Sequence, residues 1–283
     1  MKVKIHNKKN TWQAGIQLLS LLVFFLSGAT QSFAIMTWQP APAKHKHATH
    51  NHRMMTKDYQ LTEHSDATVF LWKPDLKSRK LELESNQLSL KSTGMDSYHA
   101  LVAKRRTDDI TEVAIRYPYM RGKPTGISPR VLVGAVKASF EIIPAPLPRE
   151  HRRYHAAQDA VFLLRYEGKP VSNTSVTLST SNGTTLHARS DRVGAFRFSL
   201  PDDFTATKPG RANNKPAEFV LYSEYSANGR HYRTSLSAPY YVDPAHWQST
   251  ELGAVVLIFG FVSGVAITRR GRKRSSAVQG GRS

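Results

Sequence analysis

Residues 160–200 read AVFLLRYEGKPVSNTSVTLSTSNGTTLHARSDRVGAFRFSL. Short apolar runs alternate with turn residues, and no segment carries the 3.6-residue period of an amphipathic helix, so the stretch predicts antiparallel β structure. A strand is expected over 160–166, a turn at Gly168-Lys169-Pro170, and a second strand over 171–180 with Val176 and Leu178 on one face. Asn182-Gly183 is the strongest hairpin signal in the chain, because both residues tolerate positive φ. Leu186 and Ala188 follow, and a turn at 191–194 leads into the alternation of Phe196, Phe198 and Leu200.

The same character extends in both directions. Downstream, a Pro/Gly/Asn-rich loop over 207–216 precedes Phe219, Leu221 and a further hairpin at Asn228-Gly229. Upstream, apolar runs at 67–72, 101–103, 113–117 and 136–143 continue the series, and Leu81 and Leu83 mirror Leu88 and Leu90 about a turn at Ser85-Asn86-Gln87. Pro144, Pro146 and Pro148 interrupt it; proline donates nothing to a ladder, so 144–155 is expected to be a connector or an exposed edge. The predicted fold class is all-β: two antiparallel β-sandwich domains, Ig-like or prealbumin-like, over 58–143 and 156–245, plus one C-terminal transmembrane helix.

Lysine and arginine total 40 against 21 acids, a net charge of +19. Much of that excess sits at the ends. Lys2, Lys4, Lys8 and Lys9 precede an apolar run near 18–26 and small residues at Ser32 and Ala34, the three parts of an export signal over 1–34. Residues 252–268 are free of charge and are followed by a basic tail, 269–283, containing Arg269, Arg270, Arg272, Lys273 and Arg274. That order predicts a single span with the tail in the cytoplasm and the body outside. Gly260 and Gly264 have the spacing that lets two such helices meet as a homodimer. With the ends removed the body is moderately basic, carries no nucleic-acid recognition pattern, and no nucleic-acid partner is expected.

There are no cysteines, which excludes disulfides, thiol catalysis and cysteine-based metal sites. An exported chain of this size without disulfides fits a bacterial inner-membrane protein whose main body is periplasmic.

The run Gly168-Lys169-Pro170-Val171, Val176-Thr177-Leu178, Asn182-Gly183, Asp191, Gly194 and 196–201 resembles the carboxypeptidase-regulatory-like, prealbumin-type β-sandwich. Its order, with Lys123-Pro124 and the Pro-Leu-Pro-Arg-Glu run at 146–150, is similar to a family of exported bacterial proteins of unknown function linked to nickel and cobalt uptake. The similarity covers residues 60–245. It implies a periplasmic metal-handling accessory protein and supplies no catalytic residues.

Residues 35–57 have almost no apolar period and are expected to form a flexible arm. Within it His45, His47, His50 and His52 are followed by Met54 and Met55, and imidazole with thioether suits a transition-metal ion: Ni, Co, Cu or Zn. The bland alternative is a basic, solvated linker. His151 and His155 have i, i+4 spacing, but the prolines nearby argue against a helix; His64, His99, His187 and His231 are isolated. Asp108-Asp109 and Asp202-Asp203 are neighbours of the kind common in turns. No Gly-x-Ser-x-Gly elbow, His-Glu-x-x-His or phosphate loop is present, so neither an enzyme nor an organic cofactor is expected. The sequence thus predicts a membrane-anchored periplasmic accessory protein for metal uptake, partnered by a metal transporter. Its alternative is an Ig-like interaction or scaffolding protein that binds another envelope protein or a polysaccharide through loops or an exposed strand, without a metal role.

Overall fold

Strand alternation decides which residues face which layer. A computed structural model describes residues 35–42, 56–63, 66–148 and 153–247, with Phe259, Phe261 and Ser263. All of these fall in one compact unit, Ile35–Ser283.

In chain order the described strands begin with β1 (Trp38–Pro40), β2 (Lys57–Leu61), β3 (Thr68–Trp72), β4 (Ser78–Leu81), β5 (Gln87–Leu90), β6 (Met95–Tyr98), β7 (Ala100–Arg106), β8 (Ile110–Arg116), β9 (Tyr119–Met120) and β10 (Lys123–Pro124). A short helix, α1 (Pro129–Gly134), is capped by the Ser128 side chain, which accepts from the Arg130 amide. After it come β11 (Phe140–Pro144), β12 (Tyr154–His155), β13 (Asp159–Tyr166), β14 (Lys169–Pro170), β15 (Ser175–Thr180), β16 (Thr185–Arg189), β17 (Ala195–Ser199), β18 (Ala217–Ala227) and β19 (Arg230–Tyr241).

Among the described residues the main sheet has nine strands in the order β16-β15-β18-β19-β8-β7-β3-β4, with β12 also beside β19. One face is covered by β11, β13, β14 and β17, and Phe140, Phe162, Phe196, Phe219 and Leu236 share a core there with Val102 and Ile115. The other face, over β3, β7 and β8, is covered by the β1-β2-β5 sheet, where Met36, Trp38, Leu61 and Leu90 meet Leu71, Leu101, Ala103 and Ala114. Period-two alternation produces this three-layer arrangement: Val102 and Ile115 point one way, Leu101 and Ala114 the other.

The expected division into two antiparallel sandwiches is therefore corrected. Strands from 58–143 and from 156–245 share one mixed sheet, joined where β8 runs parallel to β19 from Ile110↔His231 to Arg116↔Ser237. Strand β8 is buried on both faces, and leaving its outer edge unpaired would strand backbone groups away from water. The segment 144–155 is no simple linker either: Pro144 closes β11 opposite Phe162, Leu147 is buried, and Tyr154–His155 pairs with Tyr240 and Tyr241.

The arm expected over 35–57 is shorter than its sequence suggests. Met36 and Trp38 are each 1% exposed, the Trp38 indole donates to the Ala114 carbonyl at 3.2 Å, and Ser235 Oγ donates to the Met36 carbonyl at 2.6 Å. The turn at Ser85-Asn86 is present, with Glu84 and Gln87 exchanging backbone hydrogen bonds of 3.0 Å. Its flanks, however, are not partners: β4 pairs with β3 and β5 with β2, so the chain passes there from one sheet to another. At Asn228-Gly229 both residues adopt positive φ, 51° and 72°, as a two-residue hairpin demands, whereas at Asn182-Gly183 only the glycine does.

No helix among the described residues is long and apolar enough to cross a membrane. The expected span, 252–268, lies outside them apart from Phe259, Phe261 and Ser263, which are helical. The expected signal 1–34, the basic tail 269–283, and Gly260 and Gly264 also lie outside the described residues.

Because Trp38 fills the core between two sheets, Trp38→Ala is expected to cost about 3–5 kcal/mol. Chemical denaturation of the variant against the parent checks this, and a free arm at this position would instead give no change.

Candidate functional site: a cavity lined by tyrosine and arginine

The sheet β1-β2-β5 stops short of the C-terminal ends of β8 and β19, and the space left open there is a cavity of about 490 Å³. Lys57 and Tyr59 reach it from β2, Arg116 from the end of β8, Tyr119 and Arg121 from the segment that follows, Arg153 and Tyr154 from the start of β12, and Tyr241 from the end of β19. Tyr98, Tyr117 and four prolines, Pro118, Pro144, Pro148 and Pro239, complete much of the wall. Among the described residues the lining contains Lys57, Arg116, Arg121 and Arg153 and no Asp or Glu.

These cations are held in different ways. Arg116 is buried and spoken for: it donates to both Glu218 carboxylate oxygens, at 2.6 and 2.9 Å, and its guanidinium lies 5.1 Å from the Tyr59 ring centre. Lys57 is half-buried and donates to the Tyr119 carbonyl at 2.7 Å. Arg153 is exposed and stacks at 4.3 Å over Tyr241, while Arg121 is exposed at the rim. Lys57, Arg121 and Arg153 have no carboxylate partner among the described residues. Burial, and after it the charges of Arg116, Arg121 and Arg153, hold the Lys57 ammonium below the usual lysine range. The site is thus a positive well in partly dry surroundings, and an anion entering it relieves the repulsion.

The aromatic wall is ordered. Tyr98 and Tyr119 meet edge to face at 5.2 Å, and the Tyr119 hydroxyl donates to Asp96 at 2.7 Å. Burial pushes the Tyr98 phenol up to about 12. The hydroxyls of Tyr117 and Tyr154 are buried without a hydrogen-bond partner among the described residues.

A second titratable cluster lies near Tyr117 but is sealed. Glu141, fully buried, accepts from Arg165 Nε at 3.0 Å and from the Lys137 amide at 3.1 Å, and the Lys137 ammonium caps three carbonyls of the 132–135 turn. Burial lowers Lys137 to about 8. Its donors are consumed in pinning α1 to β11 and β13, so its work is structural.

The six residues expected to bind metal, His45, His47, His50, His52, Met54 and Met55, lie outside the described residues, as do His64 and His151. His155 is on a strand, not a helix, and its Nδ1 donates to the Val242 carbonyl at 3.1 Å. His99 is fully buried: its Nδ1 donates to the Ser97 carbonyl, the Thr93 hydroxyl donates to Nε2 at 2.6 Å, and burial lowers its pKa, so it is a neutral core histidine. His187 and His231 pair with the hydroxyls of Thr177 and Ser226. Asp203 anchors a turn: burial pushes its carboxyl up, but hydrogen bonds from Tyr240, Thr180, Thr184 and Asn182 outweigh this and hold it below the usual range. Among the described residues no three His, Asp or Glu converge to hold a metal ion.

The sequence reading missed the cavity because its residues are spread from 57 to 241. One local signal was present: residues 116–121, Arg-Tyr-Pro-Tyr-Met-Arg, interleave charge with aromatic rings.

No family model matches this chain, and no curated protein does. Among solved structures it is similar to a Ca2+-stabilised adhesin with which an Antarctic bacterium binds ice, at 13% identity and a TM-score of 0.25, covering 74% of this chain and 49% of that one. It thus spans about half the length of that adhesin. Two fibronectin type-III domains of chicken tenascin match at 9% identity, covering 66% of this chain and 93% of that one, with a TM-score of 0.22. The D0-D1 domain of intimin matches at 12%, covering 71% and 96%, also with a TM-score of 0.22. Likenesses this loose do not carry a function across.

Removing the unpartnered hydroxyl in Tyr154→Phe is expected to leave stability unchanged or raise it by about 1 kcal/mol, since a buried unpaired donor is a cost. Tyr240→Phe, which takes a hydrogen bond from the Asp203 carboxylate, is expected to lose about 1.5–3 kcal/mol. Thermal unfolding of the two variants side by side checks the contrast.

Proposed function

We propose that this chain is a non-catalytic interaction module of the bacterial cell envelope, whose cationic, tyrosine-lined cavity holds an anionic partner. The observation that carries this reading is the cavity lining, which among the described residues has no acid and four cations, of which Arg116 alone is paired with a carboxylate, that of Glu218 behind the wall. Two-carboxylate hydrolysis needs an acid and a base facing the substrate, and a Ser/His/Asp site needs an imidazole; among the described residues the lining contains neither carboxylate nor histidine, which supports binding over turnover. The export signal and span read from the sequence support an envelope location with the body on the periplasmic side.

A second reading keeps the transition-metal role of the His/Met tract, serving uptake of the nickel or cobalt type with a transporter as partner. One observation favours it. The Ala41 amide donates to the Asp58 carbonyl at 3.0 Å, and Gln39 and Pro40 pair with Gln60 and Tyr59, so both ends of the tract are fixed side by side. Chelation by such a tethered loop costs less chain entropy than closure of a free tail.

The two readings separate by experiment. On the first, full-length protein is retained by purified envelope fragments and released by salt, and Arg121→Glu with Arg153→Glu lowers retention at least about ten-fold; retention unchanged by both substitutions counts against the cavity. On the second, calorimetric titration with Ni, Co, Cu and Zn shows binding that vanishes when His45, His47, His50 and His52 are all replaced by Ala, and weakens as pH falls below about 6.5.

A further inference from the structure

We propose that the ligand of the cavity is a carboxylated sugar, as a free uronic acid or as a residue of an acidic polysaccharide, held by Lys57, Arg121 and Arg153 through its carboxylate and by the tyrosine walls through its ring. This rests on the reading that the cavity is the binding site.

The charge requirement comes first. Three cations without acidic partners among the described residues converge on one space, and guanidinium matches a planar carboxylate through paired hydrogen bonds. Burial first, and the neighbouring charges of Arg116, Arg121 and Arg153 after it, hold the Lys57 ammonium below the usual lysine range.

The second requirement is a body behind the charge. A cavity of about 490 Å³ is far larger than a carboxylate, phosphate or sulfate alone needs, and lies within the range of sites that enclose a ligand of roughly one or two rings. Its walls are tyrosine and proline. A pyranose presents C–H groups on its faces and hydroxyls around its edge; tyrosine offers an apolar ring to the first and a polar rim to the second.

The third consideration is what the geometry disfavours. An acidic peptide would gain most by adding its backbone to a free strand edge. The strands that supply Lys57 and Arg116 are flanked on both sides, β2 by β1 and β5, β8 by β7 and β19. Among the described residues the lining has no carboxylate pair that would cleave a glycosidic bond, which favours a sugar that is held and not cut.

The test is calorimetric titration of the full-length protein with glucuronate, a glucuronate oligosaccharide, glucose, inorganic phosphate and triglutamate. Glucuronate is expected to bind at least ten-fold more tightly than glucose, phosphate or triglutamate, and Arg153→Gln and Arg121→Gln, both at exposed positions, are each expected to weaken it several-fold. Its affinity should fall as the pH is raised through the Lys57 titration, because the ammonium is the binding form, and Lys57→Met should abolish that fall. A free acid as ligand gives equal affinity for the monosaccharide and the oligosaccharide, and a polymer gives tighter binding of the latter; either agrees with the proposal. Glucose binding as well as glucuronate, or triglutamate or phosphate binding better, overturns the sugar-acid assignment while leaving the cavity as an interaction site. If none of the anions binds, the assignment and the reading it rests on both fall.

Discussion

Seven consecutive residues of β8 lie in parallel register against seven of β19, and the rest of the molecule is arranged about that seam. Parallel strands need a long crossover, and here 113 residues lie between Arg116 and Arg230, long enough to build the covering sheet and four further strands of the main one before the chain returns. The seam is also where side chains sort themselves. Ile115 enters one core, Ala114 the other, and Arg116, last in the strand, crosses β19 to reach Glu218 on β18. Buried serines on β19 leave room for this: Ser237 accepts from Arg116, and Ser235 holds the Met36 carbonyl. Replacing them with bulky residues would lift the covering layer away.

The cavity is a by-product of the same arrangement. The sheet β1-β2-β5 is short, and beside it Arg116 at the end of β8 and Tyr59 on β2, both buried, line the cavity. Glu218 neutralises Arg116, but Lys57, Arg121 and Arg153 have no carboxylate partner among the described residues, and the fold must tolerate their repulsion. Proline at four wall positions keeps the chamber from collapsing onto its charges, since fixed φ angles limit how the backbone can close.

Much of the strand content was legible because it depends on local alternation. Val176 with Leu178, Phe196 with Phe198, and Phe219 with Leu221 are all buried in the pairs their spacing implied. Long-range pairing was not legible. Nothing in 110–116, Ile-Thr-Glu-Val-Ala-Ile-Arg, announces that its neighbour lies at 231–237, because the pattern within a strand reports which faces are buried and not which strand lies beside it. Short strands were lost for a related reason: Met36 and Trp38 alternate over too few residues to show a period. The cavity residues come from six separate segments, and a site assembled by tertiary contacts leaves only fragments, such as 116–121, in the linear text.

The placement of β1 also bears on the order in which the molecule can form. Met36 is hydrogen-bonded to Ser235, 199 residues away, and Trp38 to Ala114, 76 residues away. Contacts between such distant parts of a chain are slow to form, because the entropy of closing the intervening loop is lost before any packing is gained. Residues 38–40 can pair with β2 locally, but the hydrogen bonds of Met36 and Trp38 to the main sheet wait until β8 and β19 are in place, so the covering layer closes over the seam late.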